Sequence, residues 1–350
     1  MNEKSLEVLN QYDVKIMGCV RGRGGILVST DKGEKLLMEC SKQDKYYLRE
    51  DCITRAVKES GFENVDTYVR NCDNEIISVL PDEGRKYVLK DMYPGSECNV
   101  KNLRDIKASV STMAKLHIAL KAASSSLCIN DSGVRLSRGS IKDTVERHTR
   151  ELKMAENYLK NKKRRTEYEL TIYRQLGKFY SEARTAVDML QNSEVEARLE
   201  KALDSNELIH GNFNYHNVII CDKPERGSYP AGSNSSGVMT AVTNMEKCRI
   251  DCQIWDLYQF MRKILEKYNW DIDLAFKMLD EYDKVKPVED GELKVLSVLF
   301  SFPEKFWKIS NHYSNSRKTW VSEREIDKLN KIEELEPARR AFLENMLSFL

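Results

Sequence analysis

No apolar run in this chain approaches the ~20 residues that a membrane-spanning helix needs, so no span is expected. Net charge is nearly absent as well. Lys and Arg total 56 against 55 Asp and Glu, a balance of +1, and no global field points to nucleic acid. The nine cysteines are scattered, and no Cys-x-x-Cys pair occurs. That excludes a disulfide framework of the small secreted kind. Cys248 and Cys252 stand four apart without a second ligand pair, too little for a zinc site. The first residues lack the apolar core of a signal peptide, so synthesis in the cytoplasm is expected. Internal repeats and low-complexity tracts are missing too. What remains is ordinary globular material: 350 residues, 41% hydrophobic and 32% charged, enough for two cores.

The first ninety residues read as strands and turns around one helix. Gly25 to Ser29 and Glu34 to Cys40 flank Asp31-Lys32-Gly33, a hairpin pattern. Gln43 to Glu59 has helical spacing, with Gly61 after its end. Val65 to Val69, Glu75 to Val79 and Arg85 to Asp91 read as strands. Pro94-Gly95 breaks the pattern. Beyond it, apolar residues recur at three- and four-residue spacing in ten segments, the last two being Ser322 to Lys331 and Pro337 to Phe349. Leu208 to Cys221 and Met239 to Thr243 are strand-like exceptions, separated by a Gly/Ser/Pro-rich loop over Pro224 to Gly237. The expected fold is α+β and two-lobed, of the protein-kinase-like kind. A β-rich lobe with one helix covers 1–92. A larger, mostly helical lobe covers 93–350 and carries a catalytic-loop-like hairpin at 208–246.

The segment Leu208-Ile-His-Gly-Asn-Phe-Asn-Tyr-His-Asn-Val-Ile-Ile220 carries the chemistry. A kinase catalytic loop runs His, one residue, Asp, four residues, Asn, then a short apolar strand. Its Asp accepts the proton of the attacking hydroxyl, and its Asn holds magnesium. Here His210 and Asn217 have the right spacing, but Asn212 occupies the base position, and an amide is no base. The competing reading is a chance His and Asn in a strand–turn–strand.

The other parts of a kinase site can be sought in chain order. Gly22, Gly24 and Gly25, in Arg21-Gly-Arg-Gly-Gly25, form a candidate phosphate cover or an ordinary turn. Strand alternation puts Met38 where the ATP-binding lysine belongs. Lys35, nearer the turn, reads as a solvated edge residue. Glu50 on the following helix is the candidate pairing carboxylate, with a surface glutamate as the alternative. Asn244 falls where a magnesium-binding Asp belongs, and Glu246 is the one nearby surrogate, or else a solvated side chain. Asp256 reads as an N-terminal helix carboxylate. Lys160-Asn-Lys-Lys-Arg-Arg165 reads as a solvated helix end rather than an anionic-partner site. Trp255, Trp270, Phe302, Phe306, Trp307 and Trp320 read as core.

Taken in order, several motifs resemble one family. They are Thr30-Asp-Lys-Gly33, Asn64-Val-Asp66, Tyr87-Val-Leu-Lys-Asp91, Gly95-Ser-Glu-Cys98, Ala114-Lys-Leu-His117, His210-Gly-Asn-Phe-Asn-Tyr-His-Asn217, Asp256-Leu-Tyr-Gln-Phe-Met-Arg-Lys263 and Pro303-Glu-Lys-Phe-Trp307. Over nearly its whole length the chain resembles the CotS-type spore coat proteins, a branch of the aminoglycoside-phosphotransferase-like kinase fold. The resemblance implies synthesis in the mother cell, a destination in the spore coat, and other coat proteins as partners. Active members of the wider fold carry Lys, Asp and Asp where this chain has Met38, Asn212 and Asn244. Losing a general base alone costs ~10²–10⁴-fold in rate. The expectation is therefore a coat scaffold with a degenerate site and no required cofactor, weak ATP and Mg²⁺ binding being the most it keeps. In such a site Met38 would pack inward, local hydrogen bonds would hold Asn212 and Asn217, and the cleft need not stay open. The alternative is a divergent ATP-dependent small-molecule phosphotransferase of the aminoglycoside- or choline-kinase type. The small-molecule ligand is left open.

Overall fold

The computed structural model describes residues 3–127, 136–221, 238–315 and 323–348 of the chain. The expected loop over Pro224 to Gly237 and the side chain of Trp320 lie outside the described residues. Two compact units result. The first comprises Met1–Ser137, Leu208–Arg249 and Lys284–Lys286; the second comprises Arg138–Glu207, Ile250–Asp283 and Pro287–Leu350.

The first unit is built on an antiparallel sheet of β1 (Ile16–Gly22), β2 (Gly25–Thr30), β3 (Gly33–Glu39), β4 (Tyr68–Val69), β5 (Ile77–Leu80) and β6 (Arg85–Asp91). The spatial order is β1-β2-β3-β6-β4, and β5 pairs the other end of β6. Strand alternation sorts side chains onto two faces. Leu37, Tyr87 and Leu89 pack with Val8, Leu9 and Tyr12 on one face. Val8 and Leu9 belong to a 3-10 helix over Glu3–Gln11, an element the sequence pattern did not announce. The opposite face presents Val88 and Met38 to Tyr47 and Tyr68. Tyr47 lies on helix α1 (Asp44–Glu59).

Two expectations are corrected in this unit. The strand read over Val65 to Val69 is only two residues long, because Val65 turns away to bridge Val242 instead. Lys35, read as a solvated edge residue, is buried at 7% exposure and pairs with Asp91 at 2.6 Å. Burying its stem with the apolar face is feasible because the ammonium meets a carboxylate.

The rest of the first unit holds β7 (Gly95–Glu97), α2 (Leu103–Leu127), β8 (Leu208–Ile209), β9 (Val218–Cys221) and β10 (Thr240–Val242). Strands β10, β9 and β7 form a small antiparallel sheet. Helix α2 is tied to it by the Thr112 and Thr240 hydroxyls, 2.5 Å apart.

The second unit is helical, running from α3 (Ile141–Asn161) through α4 (Glu167–Met189), α5 (Ser193–Asp204), α6 (Ile254–Leu265), α7 (Ile272–Asp283), α8 (Asp290–Ser301) and α9 (Glu304–Asn315) to α10 (Glu323–Ser348). The two last helices expected from sequence are one, with Pro337 inside it. A mid-helix proline costs about 3 kcal/mol. Packing offsets this here: Leu335 and Phe342 are buried, and Arg339 bonds the Phe300 and Ser301 carbonyls and pairs with Glu182. The basic run closes a helix, as expected. Arg165 donates to the carbonyls of Leu159 and Lys160 at the end of α3, and Lys162 pairs with Glu169. Trp270, Phe302 and Phe306 are buried, and Trp307 stacks on His148. Asp256 is fully buried in the first turn of α6.

Candidate functional site

A cavity of about 490 Å³ opens in the first unit and brings most of the sequence-nominated positions together. Its wall includes Arg23 and Gly24, Met38, Glu50, Asn217, Asn244 and Glu246. Its size falls in the range of small-molecule sites. Met38 and Asn244 thus line an open cavity, whereas Asn212, His210, Gly22 and Gly25 are not part of its wall.

Register explains what faces it. Leu36 pairs with Lys90 across β3 and β6, and Met38 pairs with Val88. Directly paired residues share a face, so Met38 and Lys90 lie on the same face, diagonal to one another. Met38 is half-buried and packs on the Tyr47–Tyr68 cluster, as its apolar side chain dictates.

Lys90 carries the charge that Met38 lacks. It is 4% exposed, and its Nζ lies 2.9 Å from Glu50 Oε1 and 2.7 Å from Asp66 Oδ2. The same ammonium sits 4.7 Å from the centre of the Tyr68 ring. Glu50 is thus the pairing carboxylate, buried rather than at the surface, and it also accepts the Tyr68 hydroxyl at 2.7 Å. Two carboxylates and one ammonium share the triad. Burial works against the Lys90 charge, yet Asp66 and Glu50 together hold its pKa above the ordinary lysine value. Burial likewise disfavours the Glu50 charge, but Lys90 and the Tyr68 hydroxyl bring its pKa below normal. For Asp66, burial wins: it pushes the carboxyl up to about 6, against Lys90 and with the Glu50 charge adding to the rise. Sequence reasoning quoted Lys90 and Asp66 only as parts of motifs. The available signal was a lysine ending the apolar run Tyr87-Val-Leu-Lys90.

The glycine segment is a two-residue hairpin turn. Gly22 pairs with Gly25, and Arg23 and Gly24 both have positive φ, 49° and 77°. That is the backbone that joins twisted strands tightly, and it explains a glycine at 24. Gly22 ends β1 and Gly25 opens β2. The turn carries Arg23, exposed, to the cavity.

The catalytic-loop-like segment is held by its own amides, as expected. His210 is fully buried; its Nε2 lies 3.1 Å from the Thr243 carbonyl, and its Nδ1 accepts the Asn212 N–H at 3.2 Å. The Asn212 carbonyl accepts the side-chain amides of Asn214 and Asn217, at 2.8 and 3.0 Å. Gly211 has φ 75°, and a Cβ there would stand 2.2 Å from the Lys247 carbonyl. Only glycine lets the loop lie against the segment after β10. His216 meets Glu97 at 2.5 Å, and both line the cavity.

Asn244 adopts left-handed backbone, φ 70° and ψ 59°, which asparagine tolerates better than most residues. Its N–H donates to Asp66 at 3.1 and 3.2 Å. Glu246 is ion-paired with Lys42, and its carbonyl accepts Arg49 at 2.6 Å. Magnesium is usually held by one or two carboxylates plus substrate phosphates. Of the two positions expected to hold it, Asn217 keeps the amide such loops carry but Asn244 is an amide in place of an acid; Glu246 is paired, and Asp66 is engaged by Lys90 and Asn244. This donor set does not fit magnesium. The wall carries the cations Arg23, Lys42 and Lys90 beside the carboxylates Glu39, Glu50, Asp66, Asp91, Glu97 and Glu246.

Among the described residues, one cluster outside the cavity has metal-ligand types in reach: Glu207, Cys252 and Glu292. Arg198 fills it, donating at 2.9 Å to each Glu207 oxygen and at 2.7 Å to Glu292. It is a buried ion network.

Comparison with known proteins defines the fold. An aminoglycoside phosphotransferase from Alicyclobacillus acidocaldarius aligns with a TM-score of 0.79 and 17% identity over 98% of this chain and 95% of that one. A spectinomycin phosphotransferase solved with ADP and spectinomycin aligns at 0.61 and 11%, over 98% of each chain. A microcompartment-associated aminopropanol kinase aligns at 0.60 and 13%, over 98% and 97%. The chain thus has the two-lobed α+β fold of aminoglycoside-phosphotransferase-like kinases. At these identities the likeness establishes fold, not reaction. No protein-family model and no curated protein sequence matches the chain.

Proposed function

We propose that this protein is a CotS-type spore coat component that uses the kinase-like fold as a scaffold, with other coat proteins as partners, and transfers no phosphate. One observation carries the absence of chemistry. The base position and the metal-carboxylate position are the amides of Asn212 and Asn244, while the surrogate carboxylate of Glu246 is held by Lys42. Phosphoryl transfer depends on positioned charge, and removing base and metal carboxylates together removes most of it. The motif order along the chain supports the coat assignment.

A second reading, a divergent ATP-dependent small-molecule phosphotransferase, is favoured by the open cavity and its Lys90–Glu50 pair. Phosphate transfer from ATP to a panel of amino alcohols and aminoglycosides separates the two. The expected rate equals that of a heat-denatured control. Turnover that Asn212→Ala abolishes would overturn the scaffold reading. Fluorescent tagging in a sporulating endospore former tests the location, and a signal confined to the mother-cell cytosol would count against the coat.

A further inference from the structure

Met38 and Lys90 occupy one face of the sheet, as diagonal neighbours on adjacent strands. Diagonal neighbours are separated by about 7–8 Å or less, within reach of a lysine side chain. The carboxylate that a lysine at position 38 would meet is Glu50 on α1, and Lys90 already holds it at 2.9 Å. An apolar side chain at 38 leaves room for that ammonium and adds no competing charge. The cavity remains open above the pair, with Arg23 carried to it by the β1–β2 turn. Of the other acidic groups in the wall, Glu246 pairs with Lys42, Asp91 with Lys35, Glu97 lies 2.5 Å from His216, and Glu39 is exposed.

We infer that Lys90 has taken over, from the neighbouring strand, the phosphate-facing charge absent at Met38, and that with Arg23 it lets the cleft bind a nucleoside polyphosphate without turnover. Lys90 acts as the buried floor contact. Arg23 is the outer contact, carried on an exposed turn at the cavity. Asp66 is the balancing group. It accepts a share of the Lys90 charge while the cleft is empty and gives way when phosphate oxygens arrive. This goes beyond the scaffold reading and does not depend on it.

The test is titration of a fluorescent ADP analogue, with ATP as competitor, into four variants and the wild type. Wild type should bind in the micromolar to millimolar range. Asp66→Asn should bind at least as tightly, because it removes a negative charge beside the phosphate. Adding Lys90→Met to Asp66→Asn should cost at least about tenfold relative to Asp66→Asn alone, the effect of losing one charge-assisted contact. Met38→Lys/Lys90→Met, which returns the charge to the older position, should recover affinity to within about threefold of wild type. Circular dichroism and melting establish that each variant is folded. Should Lys90→Met/Asp66→Asn fail to fold, Lys90→Gln/Asp66→Asn decides in its place: a loss of affinity relative to Asp66→Asn supports the assignment and unchanged affinity overturns it. Wild type that binds no nucleotide at millimolar concentration, or a Lys90→Met/Asp66→Asn protein that binds as Asp66→Asn does, also overturns it. Phosphate release measured in the same samples reads the scaffold proposal separately. Turnover would sink that proposal and leave the Lys90 result standing.

Discussion

The Asp66 carboxylate accepts the backbone N–H of Asn244, at 3.1 Å to one oxygen and 3.2 Å to the other. The residue expected to stand in the place of a metal-binding acid is therefore beside a carboxylate. Restoring the acid with Asn244→Asp would set two carboxylates together in a partly buried place. The expected result is a loss of stability on the order of 1–2 kcal/mol near pH 8, shrinking near pH 5 where Asp66 takes up a proton. Denaturant melts at the two pH values check this, and an equal loss at both would contradict it.

Asp66 also sets a pH dependence of the whole fold. Its folded pKa, about 6, stands above the ordinary carboxyl value of 3.8. Between those values the folded state holds more protons than the unfolded one, so stability falls as pH rises through this window and stays low above it. Asp66→Asn should remove that part of the slope. Relative to wild type it should be more stable near pH 8 and gain least near pH 4, a difference of a few kcal/mol at most. A variant less stable than wild type near pH 8 would show that the Lys90 contact outweighs burial.

His148 works in the opposite direction, in the second unit. Burial first, and then the Arg147 guanidinium, hold its pKa down to about 4, from 6.5. The ring is stacked on Trp307 with centroids 3.3 Å apart. Here the unfolded state holds more protons between the two values. Stability is complete above the unfolded pKa and is lost as pH falls from about 6.5 towards 4. His148→Phe should flatten the acid limb over that range. Unfolding midpoints measured at half-unit pH steps test it, and an unchanged limb would exclude His148 as its source.

The Lys42–Glu246 ion pair predicts how nucleotide binding responds to magnesium. With Glu246 held, Mg²⁺ should change nucleotide affinity by less than about threefold. Lys42→Ala releases the carboxylate, and a magnesium dependence of about tenfold should then appear. Calorimetry with and without Mg²⁺ reads both. A strong dependence in the wild type would place a metal ligand elsewhere in the cleft.

The sequence was most readable where periodicity and motif coincide. The hairpin around Asp31 to Gly33, helix α1, and the run from His210 to Asn217 each combine a local pattern with a turn or cap, and each stands where its pattern implied. The Met38 slot was legible because alternation alone fixes which face a strand residue takes. Lys90 and Asp66 were not, since their roles depend on which strands are neighbours. Pairing of β3 with β6 joins residues more than fifty positions apart, and no local pattern encodes it. The fate of Lys35 was misread for the same reason: Asp91, its partner, comes from that distant strand. The N-terminal 3-10 helix was missed because Val8, Leu9 and Tyr12 only make sense against a sheet face. The continuity of α10 past Pro337 rests on Arg339 contacts with two carbonyls on another helix, which no propensity includes.

Among the ties that hold helix α1 are Glu50 to Lys90, Lys42 to Glu246, and Arg49 to the Glu246 carbonyl. They grip its preceding residues, its middle and its cavity side at once. Strand β1, by contrast, is exposed along nearly its whole length and rests on β2 alone. The turn that carries Arg23 to the cavity is thus supported by a single strand pairing, so a destabilising change in β1 is expected to be felt first at this rim.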